Sequence, residues 1–259
     1  MHKETTQLFA KIAVQKLNFF KENPLGFFIS TMMAGAYVGI GIILILTLGN
    51  EAAFAARKLI MGCFFGITLT LIIFAGAELF SGHIMYMTFG YLYKKIKVWE
   101  VVKDWFICWY GNLFGAVMLS VLFVIGGGGG WVDDPASLVH SIADSKMNSS
   151  ISELIARGII CNWLICLAIW MATKTKDDTA KAILIFWCLF AFVAAGFEHG
   201  IANMTVFTIS LLGAHPETVS FSGLIYNLLW VSIGNIIGGA GFMGVAYYLT
   251  SHRVEFKVK

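Results

Sequence analysis

Of 259 residues, 58% are hydrophobic and only 13% charged, and the mean hydropathy is +0.79; soluble domains run at about half and about a quarter. That composition excludes a soluble domain and describes an integral membrane protein. The formal net charge of +3 reflects where Lys and Arg stand relative to a membrane, not a basic face for nucleic acid.

Residues 1–23 lack the apolar core and small-residue cleavage site of a signal peptide. Leu8, Phe9, Ile12, Ala13, Leu17 and Phe20 instead recur at helical spacing opposite Lys11, Asn18 and Lys21. They predict an amphipathic helix lying along the cytoplasmic surface of the membrane. Asn23-Pro24 then turns the chain into the first span.

A bilayer crossing takes about 20 apolar residues. Six stretches qualify, at 26–48, 59–91, 105–125, 152–173, 182–212 and 223–249. The second and fifth exceed a straight crossing and carry glycine with ionisable residues at their middle, so both predict broken helices. The chain reads as a single transmembrane channel domain: an N-terminal helix (1–23), a first repeat (24–125), a periplasmic loop (126–151), a second repeat (152–249) and a cytoplasmic tail (250–259). Gly126 to Gly130 lacks the Gly-Lys-Ser/Thr ending of a phosphate loop and reads as a turn outside the membrane.

Lys and Arg number 4, 4, 3 and 3 in residues 1–23, 92–104, 174–181 and 250–259, whereas the other side holds Arg57, Lys58, Lys146 and Arg157. The positive-inside bias predicts cytoplasmic termini. Cys63, Cys108, Cys161, Cys166 and Cys188 all fall in predicted spans, with no metal spacing or disulfide framework. They read as small buried apolar residues, and nothing implies a cofactor.

Two motifs recur. AGAE at Ala75–Glu78 returns as AGFE at Ala195–Glu198, and GNLFG at Gly111–Gly115 returns as GNIIG at Gly234–Gly238, at offsets of 120 and 123 residues. With an odd number of spans in each half, the second half runs through the membrane in the opposite sense, an inverted 3+3 repeat of the kind that places a pathway where interrupted helices meet. The small residues around these motifs suit close helix packing.

Irregular backbone survives at membrane depth only where protein or a water-filled cavity surrounds it, and Gly76, Gly82, Gly196 and Gly200 permit the turns. Glu78 and Glu198 have two readings: ion ligands, or acceptors tying loose N–H groups at half-helix starts. The second is favoured because both halves place the Glu identically. Asn203 is a further polar support. His199 has no counterpart, since Leu79 holds the equivalent place. An ionisable side chain inside a span faces a cavity, and imidazole can change charge near neutral pH.

The segments NPLGFFIS, AGAYVGIGIILILTLGN, AGAELFSGH, CNWLICLAIWMA, GFEHGIANM and NLLWVSIGN resemble the formate/nitrite transporter family, most closely its nitrite-channel branch, from Asn23 to Tyr248. The resemblance implies a homopentamer in a bacterial inner membrane, lipid-embedded, each protomer folded like an aquaporin with its own pore, serving nitrite transport in nitrate assimilation without enzymatic activity. It implies His199 as the central pore histidine, with Asn162 and Lys146 as the family's asparagine and lysine. It also implies a cytoplasmic constriction of Phe65, Leu69 and Phe192 and a periplasmic one of Leu79, Phe80 and Ile165. Ser81 stands where many members carry Thr, keeping the hydroxyl.

The expected mechanism is passage of nitrite or a similar small weak-acid anion. Lys146 concentrates it, an apolar slit excludes hydrated ions, and His199 donates a hydrogen bond or a proton, with Asn162 orienting the imidazole or the anion. Formate and hydrosulfide remain alternatives. A haem-binding subunit would need paired histidines at similar depth, and only His83 and His199 lie inside spans. An aquaporin-type neutral-solute pore would carry paired Asn-Pro-Ala motifs, and the chain's prolines are Pro24, Pro135 and Pro216.

Overall fold

The computed structural model describes residues 2–251, so most of the expected tail lies outside the described residues. Among them every regular element is helical, and six helical segments are long and apolar enough to cross a membrane. Helix α1 (Lys3–Glu22) leads into α2 (Pro24–Glu51), where the Asn23 side chain accepts from Gly26 N–H and Pro24 takes the first turn. The second span enters as α3 (Phe54–Phe65) and α4 (Ile67–Ala75), breaks at 76–79, and leaves as α5 (Phe80–Leu92). Helix α6 (Val98–Ile125) closes the first half.

The expected loop contains a short helix, α7 (Leu138–Met147), which His140 pins by bonds of 2.9 Å to Ser210 Oγ and to the carbonyl of Val132. Helix α8 (Ile151–Thr173) starts from a capping box of Ser150 and Glu153. The fifth span enters as α9 (Asp178–Ala195), breaks at 196–199, and leaves as α10 (Gly200–Leu212). The last span is α11 (Phe221–Ile236), a π-helical stretch (Ile237–Val245) and α12 (Ala246–Ser251).

The packing is paired. Helix α2 lies on α6 as α8 lies on α11, α1 lies on α5 as α7 lies on α10, and α3 meets α9 between the halves. Glycine permits the closest approaches. A Cβ at Gly35 would run into the Asn112 carbonyl and one at Gly115 into Met32, while Gly234 faces the carbonyl of Ile155. Helix α1 does not simply rest on a lipid surface: Phe9, Ala10, Ala13 and Leu17 are buried against the bundle while Leu8 is exposed, and Lys16 reaches inward. The physical reason is a buried carboxylate beneath it, described below. Four of the five cysteines are buried and all are free, in keeping with small apolar packing.

Both breaks start from glycine in the left-handed region, Gly76 at φ 73° and Gly196 at φ 76°. Gly82 and Gly200, read as turn-formers, lie inside α5 and at the start of α10.

Candidate functional site

The two breaks are tied by the same set of bonds. In the first half Asn112 Oδ1 accepts the Phe80 N–H at 2.9 Å, while its Nδ2 donates to the carbonyls of Thr31 and Glu78 at 2.7 and 3.0 Å. In the second, Asn235 Oδ1 accepts the Gly200 N–H at 3.0 Å, and its Nδ2 donates to Gly158 and Glu198 at 2.8 and 3.0 Å. The Glu78 N–H reaches the Ser30 carbonyl as the Glu198 N–H reaches that of Arg157. Backbone groups freed at membrane depth thus find protein partners, as hydrocarbon surroundings demand.

These asparagines take the role expected of the two glutamates. The carboxylate of Glu78 accepts two bonds of 2.6 Å from Lys16 Nζ and lies 2.7 Å from His83 Nε2. That of Glu198 lies 2.8 Å from Lys146 Nζ and accepts from Asn203 Nδ2 at 2.6 Å. Both glutamates are almost fully buried, and a buried carboxylate needs a counter-charge, so each recruits a lysine from the helix preceding its half. Lys146, expected to concentrate anions, is also the ion-pair partner of Glu198. The Asn203 amide also bonds Asn227 Oδ1 at 2.9 Å.

His199 stands just before α10 with no side-chain capping bond, and the residue is 3% exposed. Ser81 Oγ lies 2.6 Å from its Nε2 and is the imidazole's hydrogen-bond partner among the described residues; Nδ1 has none. A break in one half so brings Ser81 of α5 to a residue 118 positions away. Asn162, expected to orient the imidazole or the anion, bonds backbone through its amide nitrogen. Its Nδ2 donates to the Asn235 carbonyl at 2.7 Å and to that of Ser81 at 3.4 Å, one step removed from the ring.

Two cavities meet at these breaks. The wider, about 150 Å³, is walled by Lys16, Glu78, His83 and Tyr86 together with Leu69, Ile72, Leu79 and Ile169, and so opens beside α1. The narrower is about 10 Å³, the room of a single water. Its wall includes Phe65, Leu69, Leu79, Ile165, Phe192 and His199. The rings of Phe65 and Phe192 cross edge to face at 5.3 Å, with Phe192 6.2 Å from His199.

This arrangement regroups the two expected constrictions. Leu69 and Leu79 each line both cavities, Phe65, Phe192 and Ile165 line only the inner one with His199, and Phe80 lines neither. Leu79 so belongs with Leu69, because α3 and α4 run toward α1 and residues 76–79 turn the chain beside Lys16. Residues that sequence reasoning passed over are Lys16, His83, Asp104, Asn112, Asn227 and Asn235. Their signal was present: each is polar within or beside an apolar helix, and Asn112 and Asn235 stand in the repeated Gly-Asn motif.

Comparison with known proteins identifies the family and the fold. Residues 3–249 match the family model described as formate/nitrite transporter. The chain is 47% identical to the nitrite transporter NirC of Escherichia coli (strain K12), over 98% of this chain and 94% of that one. Among solved structures it superposes on an FNT family ion channel at 44% identity and a TM-score of 0.94, covering 96% of this chain and 99% of the other. A pentameric formate channel with formate bound matches at 27% identity and a TM-score of 0.74, over 89% and 98%. The chain is a multi-pass membrane protein, and it belongs to the formate/nitrite transporter family of anion transporters.

Proposed function

We propose that each protomer passes nitrite, and other small monovalent weak-acid anions, through the path joining the two cavities, with His199 as the donor at its narrowest part. One observation carries the reading: a buried imidazole in the wall of an apolar cavity, with Nδ1 left without a partner among the described residues. A cavity of about 10 Å³ admits no hydrated ion, so an anion there must exchange water for a protein donor.

Ser81 has the imidazole as its hydroxyl's hydrogen-bond partner. A hydroxyl that donates to Nε2 leaves the ring proton on Nδ1, the unpaired position. That N–H donates a hydrogen bond to the anion; when a proton from water adds at Nε2, with Ser81 Oγ turning to accept from it, the resulting imidazolium gives its Nδ1 proton to the anion and returns to neutral imidazole, and the neutral acid crosses Leu69, Leu79 and Phe192 without the cost of a bare charge. The aromatic pair Phe65–Phe192 forms one constriction and Leu79 with Leu69 the other. The 47% identity to a nitrite transporter supports nitrite as substrate, ahead of formate or hydrosulfide.

The matching bonds around Asn112 and Asn235 support an inverted relation of the halves, and the basic residues beside α1 support a cytoplasmic placement of the N-terminus in a bacterial inner membrane. Phe106, Phe114 and Trp187 are exposed apolar side chains suited to lipid or a neighbouring protomer, and the pentameric formate channel supports a homopentamer. The test is nitrite flux through purified protein in liposomes, comparing wild type with His199→Ala and His199→Asn across pH. Flux should fall in both variants and lose its pH dependence. Undiminished flux with an unchanged pH profile refutes the donor role.

A further inference from the structure

The polar clusters behind the two breaks occupy equivalent places but differ in chemistry. His83 stands five residues after Glu78 and Asn203 five after Glu198; Asp104 stands eight before Asn112 and Asn227 eight before Asn235. In the second half the lysine–glutamate pair is completed by two neutral amides, Asn203 and Asn227, bonded to one another at 2.9 Å. In the first half those places hold two ionisable groups. His83 Nε2 lies 2.7 Å from Glu78 Oε2 and Nδ1 lies 2.8 Å from Asp104 Oδ2, with side-chain exposures of 1% for both His83 and Asp104.

Counting donors decides the charge. An ionised carboxylate only accepts, and a neutral imidazole has one N–H and one lone pair. Two short contacts to two carboxylates therefore require N–H at both ring nitrogens, and imidazole is the stronger base of the two kinds of group. Among the described residues, the other groups facing this cluster are Lys16 of α1, the Cys108 thiol of α6, which donates to the Glu78 carbonyl at 3.3 Å, and the ring of Tyr86, 6.0 Å from that of His83. With His83 as imidazolium, Lys16 and His83 balance Glu78 and Asp104. The cluster is then neutral, as its counterpart in the second half is.

We propose that His83 is a buried imidazolium that cancels the charge of Asp104 and so keeps the α1-side vestibule free of net negative charge. It is a specificity-determining residue for anion passage. Glu78 and His83 line that vestibule directly, with Lys16. Without the charge on His83, one carboxylate is uncompensated in a poorly screened wall that an anion must pass. The consequence for passage rests on the anion reading above; the charge itself does not.

The second half supplies the test. His83→Asn alone leaves Asp104 unbalanced, whereas His83→Asn with Asp104→Asn copies the Asn203–Asn227 pair. Nitrite uptake by purified protein in liposomes should show an apparent KM raised about ten- to twentyfold in the single variant, from one unit charge roughly 10 Å away at an effective dielectric of about 20. The double variant should return to within about twofold of wild type. If His83 served packing alone, the double variant would transport no better than the single one, and that result overturns the proposal. Nitrogen-15 magnetic resonance of wild type labelled at histidine gives an independent reading. Both His83 ring nitrogens should carry protons, and an unprotonated nitrogen refutes the imidazolium even if the single variant fails to assemble. Should wild type carry no anion at all, the transport reading falls while the resonance experiment still decides His83.

Discussion

Replacing Asn112 with Ala tests how the first break is held. The side chain is fully buried and makes three bonds, to Phe80 N–H, the Thr31 carbonyl and the Glu78 carbonyl. Two of these partners keep other ones: Thr31 lies inside α2, where its carbonyl retains the in-helix bond, and the Glu78 carbonyl still accepts from Cys108 Sγ. Phe80 N–H, at the first position of α5, is left orphaned. An unsatisfied buried donor costs about 1–3 kcal/mol and each surrendered bond about 0.5–1.5 kcal/mol, so the loss should be about 2–6 kcal/mol. Asn235→Ala removes the matching three bonds and orphans Gly200 N–H, so its loss should be similar. The assay is unfolding of the purified protein in detergent, followed by circular dichroism against denaturant, with nitrite flux in liposomes on the same samples. Stability unchanged in either variant, or a large loss in one and none in the other, would refute the account of two equivalent clamps.

The close helix contacts and the left-handed turns give two more measurements on the same unfolding assay. Gly35→Ala places a Cβ against the Asn112 carbonyl between α2 and α6 and should cost at least about 1–3 kcal/mol, whereas Gly241→Ala, with nothing within 4 Å of its Cβ, should be close to neutral. Equal effects would refute the packing assignment. Gly76→Ala and Gly196→Ala meet no neighbour within 4 Å yet carry φ of 73° and 76°, so each should lose about 1–2 kcal/mol from backbone strain alone. No loss in either would show that the break does not need the left-handed conformation.

The spans, their breaks and the family were legible along the chain because each depends on residues close in sequence. A run of apolar side chains, a glycine in its middle and a Glu or His beside it mark an interrupted membrane helix wherever they occur, since no lipid-exposed backbone can be left unpaired. Helix α7 was hidden because its ten residues sit in a loop between strong spans. Its lysine looked like a free charge for the same reason, its partner Glu198 being far along the chain.

Partnership was the part sequence did not hold. Glu78 and Glu198 read as caps for loose N–H groups, yet Asn112, 32 residues from Phe80, and Asn235, 35 from Gly200, do that work, which frees the carboxylates for Lys16 and Lys146. Ser81 and His199, separated by 118 positions, share a bond that no spacing announces. Local hydropathy set how many times the chain crosses and where it breaks, because transfer of a residue from water to lipid is nearly a property of that residue alone. Tertiary structure decided which polar groups satisfy one another, because a buried charge or donor is stabilised only by a partner within about 3 Å, and that distance is fixed by how the two halves pack.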